Sequence, residues 1–330
     1  MKIALITPAP PRTRLGNRNT AMRWARMLRS LGHDLRVQVE WDGNAADAMI
    51  ALHARRSHTS ITAYATRYPA QPLVVVLTGT DLYRDIDFNT SAQESLRLAT
   101  RLVTLHPLVD GRLREYRAKQ RVVVQSARSA PRVTPLASCF EVLVSGHLRK
   151  EKDPFRAAAA ATLLPPESRI RVTHIGRALD AAIAAAAEKW MARTQRYRWR
   201  GERSHAEAMR LMRRARLMVI SSRMEGGANV VCEALASGTP IIASRIPGNV
   251  GLLGANYAGY FPVGDERALA KLLARAEQDE AFYARLAREC AARAPLVSPS
   301  HESAALERLM DELQSAVRVE SKRRREGAKR

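Results

Sequence analysis

The stretch Ser221 to Gly248, SSRMEGGANVVCEALASGTPIIASRIPG, sets an acid, Glu225, before a Gly-Gly pair and a second acid, Glu233, eight residues later. Leu217–Ser221 reads as a strand, Gly226 and Gly227 as a turn, and Ala228–Ser237 as a helix that Gly238 ends in the C′ place, with Pro240 just beyond. The glycines carry no Cβ, so a ligand can approach the backbone. The N–H groups of Gly227, Ala228, Asn229 and Val230 at the helix start then form an anion site. Asn229 and Glu233 share a helix face, with Glu233 about one turn, roughly 5 Å, further along. A carboxylate repels a phosphate bound at that terminus, so what suits Glu233 is a pair of hydroxyls beyond the phosphate, such as the diol of a ribose. Glu225, across the glycine turn, suits hydroxyls hung from the far phosphate. Ribose, diphosphate, sugar is the order of parts in a nucleotide-diphosphate-sugar. A Glu-x7-Glu taken alone is more often a helix-start acid and a solvated one; strand, Gly-Gly and helix start in this order favour the ligand.

A second segment fits the first. VSGHLRKEKDPF, Val144 to Phe155, follows another strand and packs Arg149, Lys150 and Lys152 just before a helix. Cations there would stabilise a leaving diphosphate as its charge grows. The plainer alternative is a solvated basic turn.

The elements that must hold these residues alternate short aliphatic runs with amphipathic stretches of helical length, the pattern of parallel α/β layering. Strands are expected at Lys2–Thr7, Leu35–Val39, Ala48–Leu52, Leu73–Leu77, Arg101–Leu105 and Arg121–Gln125. A second series follows at Phe140–Ser145, Ile170–Ile175, Tyr197–Trp199, Leu217–Ser221, Pro240–Ala243 and Tyr257–Phe261. Between the two series, Ser126 to Ser138 holds prolines and small polar residues without periodicity, and reads as a linker. Helices are expected at Asp265–Gln278, Ala281–Ala294 and Glu302–Val317. The division that results is an N-terminal domain over 1–130, a linker over 131–139, a second domain over 140–295, a helix over 296–317 packing back toward the first domain, and a disordered basic tail over 318–330. Two doubly wound, Rossmann-like domains facing a central cleft would place the strand C-termini, where such sheets bind ligands, on its walls.

With 330 residues and 46% hydrophobic residues, the chain can build two cores. Three cysteines without short spacing, Cys139, Cys232 and Cys290, support neither a disulfide framework nor a zinc cluster. A cytoplasmic location and no metal cofactor are the expectation. The N-terminal apolar run is too short for a signal sequence, and no segment nears about 18 uninterrupted apolar residues. The net charge of +22 admits nucleic acid, an anionic membrane surface or a polyanionic small molecule as partner, beside a merely solvated arginine-rich surface. Nucleic acid is the remote alternative, because no aromatic-interleaved basic motif or binding module is present.

At Glu225 and Glu233 the sequence resembles the GT-B glycosyltransferases of the family-4 type, whose Glu-x7-Glu these residues match, and whose glycine-leucine-lysine segment matches Gly146, Leu148 and Lys152. More narrowly, it is similar to the selenosugar synthases of selenoneine biosynthesis through the runs TPAPPRTRLGNRNTAMRWARML, ALHARRS, LTGTDLYRD, GHLRKEKDPFRAA, SSRMEGGANVVCEA and ASRIPGNVGLLG. The resemblance implies a GT-B fold and transfer of N-acetylglucosamine or glucose from the uridine diphosphate sugar (UDP-GlcNAc or UDP-glucose) to selenophosphate. Arg149, Lys152 and Glu225 would be catalytic. Gly146, His147, Gly176, Trp199, Arg200, the run Gly226 to Val230 and Glu233 would hold the donor. Many family-4 enzymes have a histidine where Thr78 stands and an arginine where His147 stands, and Arg149 would supply the missing cation. A selenophosphate acceptor is already anionic, so it needs cations rather than a base. The first-domain loops offer Arg12, Arg14, Arg18, Arg55, Arg56 and Arg84, with Gly16, Asn17, Thr78, Thr80 and Asp81 completing the acceptor site; Asp81 would orient an arginine or bind a sugar hydroxyl. An ordinary hydroxyl acceptor is the alternative within the same family.

Overall fold

Runs such as Ala48–Leu52 (AMIAL) and Leu73–Leu77 (LVVVL) are buried along their whole length, as strands of a parallel sheet covered on both faces must be. A computed structural model describes residues 1–13, 16–108 and 111–327. The chain forms two units, Met1–Gln125 with Ser300–Arg330, and Ser126–Pro299.

In the first unit the elements are β1 (Lys2–Ile6), α1 (Gly16–Ser30), β2 (Asp34–Gln38), β3 (Ala48–Leu52), α2 (His58–Arg67), β4 (Leu73–Leu77), a π-helical turn (Asp81–Asp85), α3 (Ile86–Phe88), α4 (Thr90–Leu98), β5 (Arg101–Thr104), a 3-10 segment (Gly111–Lys119) and β6 (Gln120–Val122). The strands pair in parallel in the order β2-β1-β3-β4-β5-β6. Successive strand residues face opposite sides. Ile3 and Leu5 therefore pack with Trp24 and Leu28 of α1, while Ala4 and Ile6 pack with Ile61 and Tyr64 of α2.

The second unit runs β7 (Phe140–Ser145), α5 (Arg156–Thr162), β8 (Ile170–Ile175), α6 (Ala181–Arg193), β9 (Tyr197–Trp199), α7 (His205–Arg214), β10 (Leu217–Ile220), α8 (Asn229–Ala236), β11 (Ile241–Ser244), α9 (Pro247–Leu253), β12 (Tyr260–Phe261), α10 (Glu266–Gln278) and α11 (Glu280–Arg293). Asp180, Ser204, Asp265 and Asp279 cap α6, α7, α10 and α11 by accepting a backbone N–H three residues on. The order β12-β11-β10-β7-β8-β9 is that of a doubly wound dinucleotide-type sheet, and it reverses between β7 and β10. In the first unit the reversal falls between β1 and β3. Loops after strands that flank a reversal diverge and leave a crevice, which is where such sheets take ligands. Both α/β units are thus doubly wound, as the sequence leads one to expect.

Two stretches differ from expectation. The linker stretch is pinned to the second unit: Ala127 N–H donates to Val297 O, and the Arg132 guanidinium to Thr239 Oγ1 and Ala215 O. The expected tail is helical as far as Gly327, because α12 runs from Pro299 to Gly327. Arg, Lys and Glu are good helix formers, and extending a helix already nucleated adds a hydrogen bond per residue fixed. Leu306, Leu309, Met310 and Leu313 of α12 lie in the first unit's core. The buried Glu302 beside them accepts from Trp24 Nε1 at 2.7 Å and Arg23 Nε at 2.8 Å.

Candidate functional site

The loops after β7 and β10, the two strands flanking the reversal in the second unit, are fastened together. Arg223 N–H donates to Glu151 O at 2.8 Å, and Ser221 Oγ to Lys152 O and Asp153 O. The β7 loop makes one 3-10 turn over Lys150–Lys152, closed by Asp153 in the left-handed region at φ 44°. This turn carries the Lys152 ammonium onto Glu225 Oε1, which also accepts from Ser222 Oγ at 2.5 Å. Lys152 and Glu225, 73 residues apart in sequence, are a partly buried ion pair. Arg149, at the start of the same turn, has a buried Nε with no acceptor among the described residues.

Gly226 is buried, and α8 begins at Asn229 with Ala228 in the N-cap place, where no side chain caps it. A helix start without a side-chain cap suits an anionic ligand. Glu233 lies one turn along α8, with His205 Nδ1 3.8 Å from its Oε1. Lys152, Gly146, Ser222 and Val230 line one open cleft together with His174 and Pro154.

Gly146 and Gly176 meet beneath this cleft. Gly176 has φ +147°, and a Cβ there would stand 1.9 Å from Gly146 O. The same carbonyl accepts from His174 Nε2 at 3.1 Å, so His174 Nδ1 accepts from Tyr197 Oη at 2.9 Å. Burial pushes the His174 imidazole down to about 4. The unfolded chain takes up that proton near pH 6.5 while the folded chain refuses it until about pH 4, so acid favours unfolding across this window. Stability is expected to fall between pH 6.5 and 4 by up to about 1.4 kcal/mol per pH unit from this group. Denaturant titrations of the wild type and His174→Gln at several pH values check this; equal slopes in the two proteins would contradict it. His147 is likewise held below its usual range by burial, with Arg177, Arg149 and Lys152 adding to the effect against Glu202, and its Nδ1 accepts from Arg177 N–H. Trp199 donates from Nε1 to Gly176 O at 2.8 Å, and Arg200 N–H donates to His174 O. Trp199 thus braces the glycine contact, and the Arg200 side chain is exposed.

In the first unit Gly16, Asn17 and Arg18 open α1, with Thr20 Oγ1 donating to Gly16 O. Arg14 lies outside the described residues. Asp81 is fully buried and accepts from Thr78 N–H and Gly79 N–H on one oxygen and from Ala54 N–H on the other. This corrects both roles expected of it, because the carboxylate is committed to shaping the β4 loop rather than to a hydroxyl or an arginine. The arginine partner is Asp85, which takes Arg55 Nε at 2.8 Å and Arg84 Nε at 3.1 Å. Thr80 Oγ1 lies 3.0 Å from Nε2 of His53, a buried residue held at φ 76°. Left-handed backbone at buried non-glycine residues and π-turns are both enriched at functional sites. Sequence reading passed over His53, Asp85, Ser222 and His205. The acids of DLYRD, four apart, were a visible signal for Asp85; a backbone angle leaves none.

Residues 138–294, nearly the whole second unit, match the glycosyl transferases group 1 family. A stretch of 129 residues, 37% of the chain, is 36% identical to glycogen synthase of Mycobacterium tuberculosis, and the match spans 29% of that protein's length. Among solved structures, Anabaena HepE in complex with UDP-glucose aligns with a TM-score of 0.76 at 16% identity, over 94% of this chain and 100% of HepE. Sucrose-phosphate synthase from Thermosynechococcus elongatus aligns with a TM-score of 0.74 at 15% identity, over 96% and 99%. The pneumococcal O-GlcNAc transferase GtfA in complex with UDP and GlcNAc aligns with a TM-score of 0.63 at 17% identity, over 90% of this chain and 60% of GtfA. These likenesses span nearly the whole chain and place it in the GT-B fold class. Among the described residues no helix is long and apolar enough to cross a membrane.

Proposed function

We propose that this chain, whose second unit carries the glycosyl transferases group 1 domain, is a glycosyltransferase that moves glucose or N-acetylglucosamine from its uridine diphosphate donor to selenophosphate. The observation that carries the donor half is the Lys152–Glu225 pair beside the start of α8, where the N-cap residue is Ala228, with Glu233 one turn further on. The diphosphate lies against the helix start, Lys152 and Arg149; Glu233 takes the ribose hydroxyls, and Glu225 takes hydroxyls of the sugar. The cations and the helix start stabilise negative charge as it grows on the leaving phosphate. UDP and UDP-glucose in the HepE structures, and UDP with GlcNAc in that of GtfA, support the class of donor.

The acceptor half rests on the resemblance to selenosugar synthases and on the basic loops of the first unit. Selenium attacks the anomeric carbon, and the bond from that carbon to the diphosphate oxygen breaks with its electron pair on the leaving group. No proton has to be removed, since the acceptor is already an anion. Hydrolysis of the phosphorus–selenium bond then releases phosphate and leaves the 1-selenosugar. Arg55 and Arg84, aligned by Asp85, together with Arg18 at the start of α1, supply the positive charge. The enzyme needs no metal on this account, because side-chain cations meet the diphosphate.

A hydroxyl acceptor is the second reading, and His53 favours it. Burial, aided by Arg56 and Arg55 against Asp81 and Asp85, lowers its proton affinity, so at neutral pH the imidazole is uncharged, the form a general base needs, with Nδ1 accepting from Arg56 N–H at 3.3 Å. Incubating the chain with UDP-GlcNAc and selenophosphate, with a sugar acceptor, or with neither separates the readings by mass spectrometry. Selenium-containing sugar is the expected product. Transfer only to hydroxyl acceptors would exclude the selenium chemistry and leave the donor reading in place.

A further inference from the structure

Glu225 differs from Glu233 in being almost wholly buried, and one of its two oxygens carries all of its polar contacts among the described residues. Its Oε1 accepts from Lys152 Nζ and Ser222 Oγ, whereas Oε2 has no partner among the described residues. The loop that carries it is supported from behind by the end of β11 and the start of α9. Ser244 Oγ donates to Ser222 O at 2.6 Å, and Asn249 Nδ2 donates to Ser244 O at 2.9 Å. Gly248, in the first turn of α9, lies so close that a Cβ would stand 2.3 Å from Glu225 O and 3.0 Å from Glu225 Cβ. Ser222, Ser244 and Asn249 are all buried.

We propose that Ser222 is a positioning residue for the donor sugar: braced by Ser244 and by the close approach of Gly248, it fixes Glu225 Oε1 and so presents Oε2 to a hydroxyl of the transferred sugar. The inference rests on the reading of the second unit as the donor site and adds a specificity device to it. A buried carboxylate that turned freely would pay conformational entropy on each binding event; one anchored by a lysine and a serine meets the sugar already oriented. When Lys152 turns toward the diphosphate, Ser222 is the contact that remains, so the orientation survives loading.

A double-mutant cycle read by calorimetry tests this, with UDP and UDP-glucose as the two probes on the full chain. Ser222→Ala is expected to weaken UDP-glucose about tenfold, the worth of one hydrogen bond to a charged group, and to change UDP less than about twofold. In the Glu225→Gln background the same substitution is expected to add less than about twofold, because two residues acting through one contact are not additive. Ser244→Ala, which removes only the brace, is expected to show the same split in smaller measure, and it carries the test should Ser222→Ala not fold. Equal weakening of UDP and UDP-glucose would make Ser222 a support for the loop alone and overturn the proposal, as would full additivity with Glu225→Gln. Failure of the wild type to bind UDP would instead sink the donor reading, and this inference with it.

Discussion

Lys152→Ala is expected to lower kcat/KM for the sugar nucleotide on the order of 10²–10³-fold in a chain that remains folded. The side chain sits at the crevice where the β-strand order reverses, on a 3-10 turn tied to the β10 loop by three hydrogen bonds. Its side chain is about one-fifth exposed, so its loss opens no cavity in the core. The loss falls on charge stabilisation: one preorganised donor aimed at developing charge is worth a few kcal/mol in a site that excludes water. Glu225 keeps its Ser222 hydrogen bond when the lysine is gone, so the loop retains its shape. Lys152→Arg restores a cation on a planar, longer head and should recover part of the rate. Steady-state kinetics beside a thermal melt check this; activity within about threefold of wild type would place Lys152 outside the reaction.

Gly176→Ala is expected to cost the second unit about 4 kcal/mol, combining backbone strain with overpacking. Two causes add at this residue. Its φ of +147° is one that side-chain-bearing residues rarely adopt, and the new Cβ would meet Gly146 O at 1.9 Å. That carbonyl belongs to backbone and cannot swing aside, and moving it would also strip His174 of its hydrogen bond. Gly254 offers the control, since it has φ +92° with nothing within 4 Å of a Cβ. Gly254→Ala, at φ 92° and ψ 155°, should cost less, about 2 kcal/mol, from the backbone alone. Chemical denaturation of both variants reads the difference; similar losses at the two positions would show that the Gly146 contact relaxes easily.

The sheets were the most legible part of the molecule, for a physical reason. Strands buried on both faces are continuous aliphatic runs, and Ala48–Leu52, Leu73–Leu77, Phe140–Ser145 and Ile170–Ile175 have the same ends in sequence and structure. Short edge strands were less legible. β12 keeps only Tyr260–Phe261 of the expected run, because Tyr257 is spent on the turn from Gly254 and on contacts of its hydroxyl with Ile241 and Cys290. In the site, spacing alone pointed to the Gly-Gly turn and the two glutamates, because a helix start and its periodicity are local properties. The pairing of Lys152 with Glu225 was not legible, since it follows from parallel strands far apart in sequence becoming neighbours. Asp81 shows the opposite error: beside a Gly-Thr turn it looks like a ligand-facing acid, yet three backbone N–H groups consume it.

The central claim is that the crevice between β7 and β10 holds a uridine diphosphate sugar by its ribose, its diphosphate and its sugar in turn. Calorimetric titration of the chain with UDP, repeated for Glu233→Ala and for Arg18→Ala in the other unit, addresses it most directly. The account predicts saturable one-to-one binding, weakened about tenfold or more by Glu233→Ala, which removes hydrogen bonds to a charged group, and unchanged by Arg18→Ala. Binding that is absent in the wild type, or indifferent to Glu233, would contradict it.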